Sequence, residues 1–332
     1  MRGVRLAAGI VVVLGLAGLV LVAATLRPVD PHGQPRIITV PPGASPVEIG
    51  QLLVGAGLIR RSTDFVTFVR VRGWAYSLHE GDYQLSPAMG LQEIAEALVR
   101  GKVVEHAVTI PEGFTAAEIA GVLEREDLVD PTRFVRLSQH GAAEFDHAFL
   151  RALPTTSLEG YLFPDTYRIP RHLPERKIIA LFLDRFAQVV LPRWNARTDS
   201  GTTLHEMVTI ASLVEREAKV PTERPVIAGV LYNRLRRGWR LEVDATVLYA
   251  LGRHKATVTY EDLKVDSPYN TYLHAGLPPG PIASPGLKAI EAALAPAQTD
   301  YLFYVARPDG SHEFSRTFAD HLAAVRRYRR GP

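Results

Sequence analysis

One short segment shows how this chain is built: Pro111-Glu112-Gly113-Phe114-Thr115-Ala116-Ala117-Glu118-Ile119 follows an extended apolar stretch, turns at a glycine and opens an amphipathic helix. The same order of strand, turn and helix with a Glu-Ile pair occurs at residues 42–49 and 87–94. Alternating extended and helical segments predict an α+β fold. Because the copies are irregularly spaced, we expect a compact module in which two units pair and the third joins the next domain, and not a solenoid.

Composition excludes several classes of protein. The chain has 332 residues, of which 47% are hydrophobic and 22% are charged, so it can fold around a sizeable core. There is no cysteine, which excludes disulfides, cysteine-ligated metal and thiol nucleophiles. The net charge is only +3, and no basic run is interleaved with aromatic residues, so a nucleic-acid partner is not expected.

The amino-terminal segment predicts a membrane anchor. Residues 6–26 are apolar except for one threonine, about the length needed to cross a bilayer, and Arg2 and Arg5 precede them. By the positive-inside rule, residues 1–5 are expected in the cytoplasm, 6–26 in the lipid bilayer, and 27–36 in a linker to an extracytoplasmic body. The alternative is a cleaved signal peptide, for which Ala23-Ala24-Thr25 offers a cleavage site.

Catalysis by a metal or a cofactor is not expected. His205-Glu206 is followed by Thr209 where a zinc-binding helix needs a second histidine, and the histidines are dispersed along the chain. No nucleophile elbow, phosphate loop or dinucleotide fingerprint occurs. We therefore predict no cofactor and no metal site.

A helix that begins after Thr203 carries the candidate chemical group. Thr203 and Glu206 form a capping-box pattern, and the helix runs toward Pro221. On a wheel of about 100° per residue, Glu217 lies about 50° from the centre of the apolar face and Glu215 about 110° from it. Partial desolvation at Glu217 would raise its pKa toward the range useful for proton donation.

Glu215 is expected in solvent, paired with Arg216, Lys219 or Arg224. On pattern alone, an ordinary surface charge pair on a helix stays open as the alternative for both glutamates. Asp244 has two interpretations, as the N-cap of a short helix that ends at Gly252 or as a catalytic group.

Two loop-rich segments are candidate walls of a binding cleft. Residues 158–170 gather aromatic side chains around a glycine and a proline, which is typical of either a sugar cleft or a loop pinned by buried aromatics. Residues 267–282 form a long, proline-rich loop. Near the carboxyl end, Asp309-Gly310 predicts a β-hairpin between residues 301 and 314.

Five motifs, in order, resemble the YceG-like endolytic murein transglycosylases. They lie at residues 159–167, 211–217, 230–235, 244–247 and 269–280. The resemblance implies a bacterial single-pass protein of the cell (inner) membrane with a LysM-like α+β module, here residues 37–107, and a mixed helical catalytic domain, here residues 108–332. It also implies action on nascent peptidoglycan glycan strands, beside peptidoglycan synthases.

The resemblance also implies the catalytic group, because the family's catalytic residue is the second glutamate of its Glu-x-Glu motif, which is Glu217 here. A lytic transglycosylase uses one such acid and base to cleave the β-1,4 bond between MurNAc and GlcNAc, leaving a 1,6-anhydro end that terminates the strand. We expect Glu159, Tyr269 and Asn270 to supply stabilising dipoles. The full predicted substrate-binding set is Glu159, Tyr161, Phe163, Asn233, Tyr269, Asn270, Thr271, Pro278 and Gly280.

Two other functions fit the sequence. A muramidase would hydrolyse the same bond and would need a carboxylate to activate water, with Asp244, Asp165 and Glu159 as candidates. A non-catalytic glycan-binding scaffold of the wall-synthesis machinery would need no such group.

Overall fold

A computed structural model describes residues 26–197, 201–252, 255 and 258–329. The predicted membrane-spanning segment, residues 6–26, lies outside these ranges except for its last residue. None of the helices in the described ranges is long and apolar enough to span a bilayer. The described residues divide into two compact units, one formed by 26–106 with 168–172, the other by 107–167 and the described residues from 173 to 329.

The first unit contains two of the three βα copies. Its elements in chain order are β1 (Arg36–Val40), α1 (Pro46–Gly55), α2 (Ser62–Val71), β2 (Gly81–Leu85) and α3 (Leu91–Val99). Strands β1 and β2 pair antiparallel with Ile38 opposite Tyr83, so the expected pairing of two units is confirmed. Ser45 caps α1 in a complete capping box with Glu48. The core between sheet and helices is apolar, with Ile49, Leu53, Phe65, Tyr83 and Ile94 almost fully buried.

The third copy leads into the second unit. Its strand β3 (Glu105–Thr109) pairs with β4 (Thr166–Pro170), and its helix α4 (Ala116–Arg125) belongs to the second unit. Thr115 caps α4 in a capping box with Glu118. The α+β class is therefore confirmed, with small antiparallel sheets among many helices.

The second unit is mostly helical and contains a β-hairpin followed by a last helix. Its elements after α4 are α5 (Pro131–His140), α6 (Glu175–Val189), α7 (Leu191–Asn195), α8 (Leu204–Glu217), α9 (Arg224–Arg236), α10 (Asp244–Leu251), α11 (Leu287–Leu294), β5 (Phe303–Ala306), β6 (His312–Ser315) and α12 (Phe318–Arg329). Strands β5 and β6 pair antiparallel, and Gly310 takes the positive φ of 85° that the turn requires. The predicted hairpin is confirmed.

Helix α8 forms the centre of the second unit. Thr203 caps it in the predicted capping box with Glu206, and every residue from Met207 to Val214 is buried. It packs against α9 and α11. Because the buried middle of α8 is fixed in the core, the helix holds its last residues, Glu215, Arg216 and Glu217, rigidly at the edge of that core.

Candidate functional site

Glu217 is the last residue of α8 and reaches a cavity of about 490 Å³. The start of α10, the hairpin and α12 form the other walls of this cavity, which is called the catalytic cavity below. The Glu217 side chain is half-buried, so its carboxyl group faces the cavity while the helix shields it from bulk solvent. This placement agrees with the interior-edge position given by the helical wheel.

The surroundings of Glu217 set its acidity. Burial raises the pKa of the Glu217 carboxyl from 4.5 to about 7, and the negative charge of Asp244 acts in the same direction. The Tyr304 hydroxyl, the Ala245 N–H and the charge of Arg216 oppose this rise. Near neutral pH the carboxyl is therefore divided between its acid and base forms, so it is able both to donate and to accept a proton.

Tyr304 on β5 is the closest polar partner of Glu217. Its hydroxyl donates a hydrogen bond of 3.0 Å to Oε2 of Glu217, and its ring packs edge-on against His312 with 5.3 Å between centroids. His312 is itself held by Glu223, whose Oε2 lies 2.7 Å from Nδ1. From the sequence, Tyr304 is predicted only to lie in a strand, because no local pattern indicates a contact with a helix so far away along the chain.

Asp244 and Tyr272 form the other polar wall of the catalytic cavity. The Tyr272 hydroxyl donates to Oδ1 of Asp244 at 2.5 Å, and both side chains line the cavity. Asp244 is the first residue of α10, whose N-cap is Val243, so the predicted capping role of Asp244 is wrong. Its carboxylate faces the cavity because Tyr272 holds it there. The predicted end of this helix at Gly252 is confirmed by the left-handed conformation of that glycine.

Arg234 of α9 supports the floor of this cavity. Its guanidinium donates to the carbonyl oxygens of Leu302, Arg240 and Leu241, and to the carboxylate of Glu242. It also lies over the ring of Phe303, 5.1 Å from the centroid. Arg234 is 8% exposed, so these bonds are shielded from water and tie the hairpin to α9.

Glu215 is not in solvent, and that prediction is wrong. Its side chain is only 7% exposed and forms an ion pair of 3.1 Å with Arg224, one of the partners predicted for it. Its Oε2 also accepts the N–H of Gly286, the N-cap of α11, at 3.0 Å. Glu215 therefore joins three helices, whereas Glu217 faces a cavity.

Several residues of the predicted substrate-binding set are buried structural supports. Thr271 is 1% exposed; its hydroxyl accepts the Val243 N–H at 3.0 Å and lies 2.9 Å from that of Thr246, which fixes the start of α10. Asn270 is fully buried and bonds the carbonyl oxygens of Leu263 and Val265. These side chains leave no surface for a glycan in this structure.

Tyr161 and Phe163 are also buried, as in the alternative of a loop pinned by its aromatics. Tyr161 is fully buried, and its hydroxyl lies 2.9 Å from Nδ1 of His205, whose Nε2 lies 2.8 Å from the carbonyl oxygen of Pro279. His205 thus connects this segment to the proline-rich loop. Gly280 lies against the same imidazole, where an added Cβ would approach Cε1 to 3.3 Å.

Other members of the set lie elsewhere in the second unit. Asn233 donates to the carbonyl oxygens of Thr299 and Tyr301 at 2.7 and 2.9 Å, and Pro278 is buried in its loop. Tyr269 is half-buried beside Tyr249. Glu159, Tyr269 and Asn270, the predicted source of stabilising dipoles, are not among the described residues that line the catalytic cavity. Tyr272, Asp244 and Tyr304 occupy that position instead.

The three carboxylates predicted as candidates for activating water lie at different sites in the structure. Asp165 is held by Arg185 at 2.6 Å, and Glu159 lines a different cavity. Of the three candidates, Asp244 alone lines the catalytic cavity with Glu217. Among the described residues no group of three or more His, Asp or Glu side chains is arranged to hold a metal ion.

Comparison with known proteins identifies the family. The model of the YceG-like family matches residues 38–327. The endolytic murein transglycosylase of Bacillus subtilis is 34% identical over 324 residues, which cover 91% of this chain and 88% of that protein. The endolytic murein transglycosylase of Streptococcus pneumoniae serotype 2 is 31% identical over 92% of this chain, which spans only 61% of the length of that relative. The crystal structure of a YceG-like protein from Listeria monocytogenes matches with a TM-score of 0.60 and 33% identity, covering 88% of this chain and 99% of that one. This chain therefore belongs to the YceG-like family.

Proposed function

We propose that this chain is a peptidoglycan lytic transglycosylase in which Glu217 is the single acid and base. The observation that carries the proposal is the half-buried Glu217 carboxyl, with a pKa of about 7, in a cavity of about 490 Å³. The names of its relatives supply the substrate class, murein. The bond that we expect to be cleaved is the β-1,4 link between MurNAc and GlcNAc.

The proposed reaction needs no nucleophile from the protein and no water, because a hydroxyl group of the substrate attacks. Protonated Glu217 donates its proton to the glycosidic oxygen as the bond from that oxygen to C1 of the muramic acid breaks. The C6 hydroxyl of the same ring then attacks C1, and its proton passes to the Glu217 carboxylate, which restores the starting form. The ring closes on itself to a 1,6-anhydro end, and no water is consumed. Because the attacking hydroxyl is part of the substrate, its effective concentration is high.

The neighbours of Glu217 have distinct roles in this scheme. Tyr304 orients Oε2 through its hydrogen bond, so the opposite oxygen, Oε1, is the one that we assign to proton transfer. The Asp244 carboxylate places negative charge where the oxocarbenium-like transition state develops positive charge. Asp244 thus acts through its field, and Tyr272 holds it in place.

A muramidase is the second candidate, and one observation favours it. Asp244 shares the catalytic cavity with Glu217, so a water molecule between the two carboxylates could be activated by Asp244. The product would then be a reducing end. A non-catalytic scaffold is the third possibility, and it predicts that Glu217 is dispensable.

We also propose where the reaction takes place. The apolar residues 6–26 would anchor the chain in the cell membrane, and the catalytic unit would act on nascent strands on the outer side, beside the synthases that produce them. In this arrangement the first unit is the LysM-like module, and cleavage terminates strand elongation.

The test is cleavage of purified peptidoglycan strands by the full chain and by Glu217→Gln. We expect the substitution to remove cleavage by a factor of about 10³ or more while strand binding persists, because the amide keeps the shape but cannot donate the proton. Glu124→Gln is the matched control, since Glu124 is an exposed residue of α4 outside the catalytic cavity. Unchanged cleavage by Glu217→Gln would contradict the proposal.

A further inference from the structure

A second cavity of about 390 Å³ lies in the same unit, and two of the residues that line it, Arg216 and Ala245, are adjacent in sequence to residues of the catalytic cavity. We propose that this cavity is a second sugar subsite, which binds an N-acetylhexosamine ring of the strand that Glu217 cleaves. The inference rests on the proposed function and extends it, because it assigns a ligand to a cavity that takes no part in proton transfer.

The two cavities share their walls. At the end of α8, Arg216 lines the second cavity and Glu217 lines the catalytic cavity. At the start of α10, Ala245 lines the second cavity and Asp244 lines the catalytic cavity. The N–H of Ala245 is also hydrogen-bonded to the Glu217 carboxyl, so a residue of the second cavity contacts the acid of the catalytic cavity. In our proposal the rings next to the cleaved bond extend into the second cavity.

The lining of the second cavity has the mixed character that sugar rings require. Leu248 and Ile282 supply apolar surface, and the Tyr249 ring adds an aromatic face against Tyr269, with centroids 4.8 Å apart. Gln139 and Arg216 supply polar groups at the same cavity. Apolar faces of a sugar pack on rings and aliphatic side chains, while its hydroxyl and acetamido groups need hydrogen-bonding partners.

Glu159 is the feature of this cavity that structure alone does not explain. The residue is 6% exposed, and no ion pair to it occurs within the described part of the chain. Both of its carboxylate oxygens accept the single N–H of Ala116, at 3.1 and 3.2 Å, the Gly160 N–H also bonds the carboxylate, and the Tyr249 hydroxyl donates from 3.4 Å. A carboxylate has about four acceptor sites, so these three donors leave hydrogen-bonding capacity unused on a group that is costly to bury. A sugar hydroxyl would use it.

The charges of the second cavity favour an uncharged ligand. The lining carries two carboxyl groups, Glu118 and Glu159, and one guanidinium, Arg216, so acidic groups slightly outnumber basic ones and no strong field of one sign is present. A strongly anionic or cationic partner would find both attraction and repulsion there. Of the two N-acetylhexosamines of the strand, GlcNAc is neutral and rich in hydroxyl groups, whereas MurNAc carries a lactyl carboxylate, so GlcNAc is the ring that we assign to this cavity. A volume of about 390 Å³ lies within the range of known ligand pockets.

The test blocks the second cavity without touching the catalytic one. Ala117 is an exposed residue in the first turn of α4 and lines the second cavity, so Ala117→Trp should fill it from the rim. Glu124→Trp is the matched control, because it places the same side chain at an exposed position of the same helix outside the cavity. Gln139→Trp on α5 provides a second block from another exposed position on the lining.

Binding is measured for the full chain in the Glu217→Gln background, with long glycan strands freed of their stem peptides and, separately, with strands that still carry them. We expect Ala117→Trp and Gln139→Trp each to weaken binding about tenfold, which is about 1.4 kcal/mol, and Glu124→Trp to leave it unchanged. Equal affinity of the blocked and control proteins would overturn the inference. A loss confined to strands that still carry peptides would also overturn it, because the cavity would then hold the peptide.

This comparison separates the subsite from the proposed chemistry. If Glu217→Gln still cleaves strands but the blocked variants bind them weakly, the proposed function fails and the subsite stands. If Glu217→Gln abolishes cleavage and the blocked variants bind normally, the subsite fails and the proposed function stands. Absence of any strand binding by the Glu217→Gln protein overturns the subsite.

Discussion

The hydroxyl of Tyr304 donates a hydrogen bond of 3.0 Å to Oε2 of Glu217, joining the last turn of α8 to a strand 87 positions later in the chain. This contact favours the charged form of the carboxyl, whereas burial favours the neutral form more strongly. The acidity of Glu217 thus depends on the hairpin as well as on the helix. It follows that the hairpin can be altered to change the chemistry without touching the glutamate.

Removal of the Tyr304 hydroxyl should shift the pH dependence of cleavage upward. In the wild-type protein the acid form of Glu217 starts the reaction, so kcat/KM should fall as the pH rises through about 7. Tyr304→Phe removes a contact that lowers the pKa of Glu217, so the fall should move to higher pH. We also expect the maximal rate to decrease about tenfold, because the carboxyl loses its orientation. A fall at unchanged or lower pH would contradict the assigned role of Tyr304.

Substitution of Asp244 should have the opposite effect on the pH profile. Asp244→Asn removes a negative charge that raises the pKa of Glu217, so kcat/KM should begin to fall at lower pH. In a lytic mechanism the variant keeps measurable activity, because Asp244 acts only through its field. In a hydrolase the activity of the variant would fall by a factor of about 10² to 10⁴, which is the usual contribution of a general base. Asp300→Asn, at an exposed position outside the catalytic cavity, is the control.

Burial of Glu159 makes stability depend on pH. The pKa of this carboxyl rises from 4.5 to about 7 on folding, so the folded protein binds the proton more tightly than the unfolded chain does. The contribution of the Glu159 proton to the free energy of unfolding is fully present below about pH 4.5. This contribution, about 3 kcal/mol, is lost as the pH rises to about 7. Glu159→Gln cannot titrate, so its free energy of unfolding should decrease less over this interval. Urea unfolding at a series of pH values measures the difference, and identical slopes for the two proteins would contradict this account.

Glu215 should matter for stability rather than for the chemical step. Glu215→Gln leaves Arg224 without its buried ion pair and weakens the contact with the N–H of Gly286. We expect the free energy of unfolding to fall by about 3 kcal/mol, as for other buried ion pairs that lose one partner. At a temperature where the variant is folded, the pH at which kcat/KM falls should be unchanged. A shift of that pH would show that Glu215 acts on the reaction.

The sequence allowed the helical elements and the position of Glu217 to be predicted, because both depend on local patterns. Thr203 with Glu206 marks the start of α8, and the apolar periodicity places Glu217 at the edge of its buried face. Glu215 was misjudged because a helical wheel shows only one helix. Its burial comes from Gly286 and Arg224, which belong to other helices.

The remaining site could not be predicted because it depends on contacts between distant segments. Tyr304 and Tyr272 reach Glu217 and Asp244 only after the hairpin and the proline-rich loop have folded onto the helices. The motif residues Tyr161 and Asn270 are predicted to bind substrate because of their polar and aromatic groups, yet both side chains are fully buried. From sequence alone, a polar residue that holds a loop and one that contacts a ligand have the same pattern.

The fate of water at the cleaved bond tests the central claim most directly. Peptidoglycan strands are digested with the full chain in water enriched in heavy oxygen, and the new glycan ends are analysed by mass spectrometry. If Glu217 alone moves the proton and the C6 hydroxyl attacks C1, the ends are 1,6-anhydro rings that carry no label. Reducing ends that carry heavy oxygen would contradict the account and identify the protein as a hydrolase.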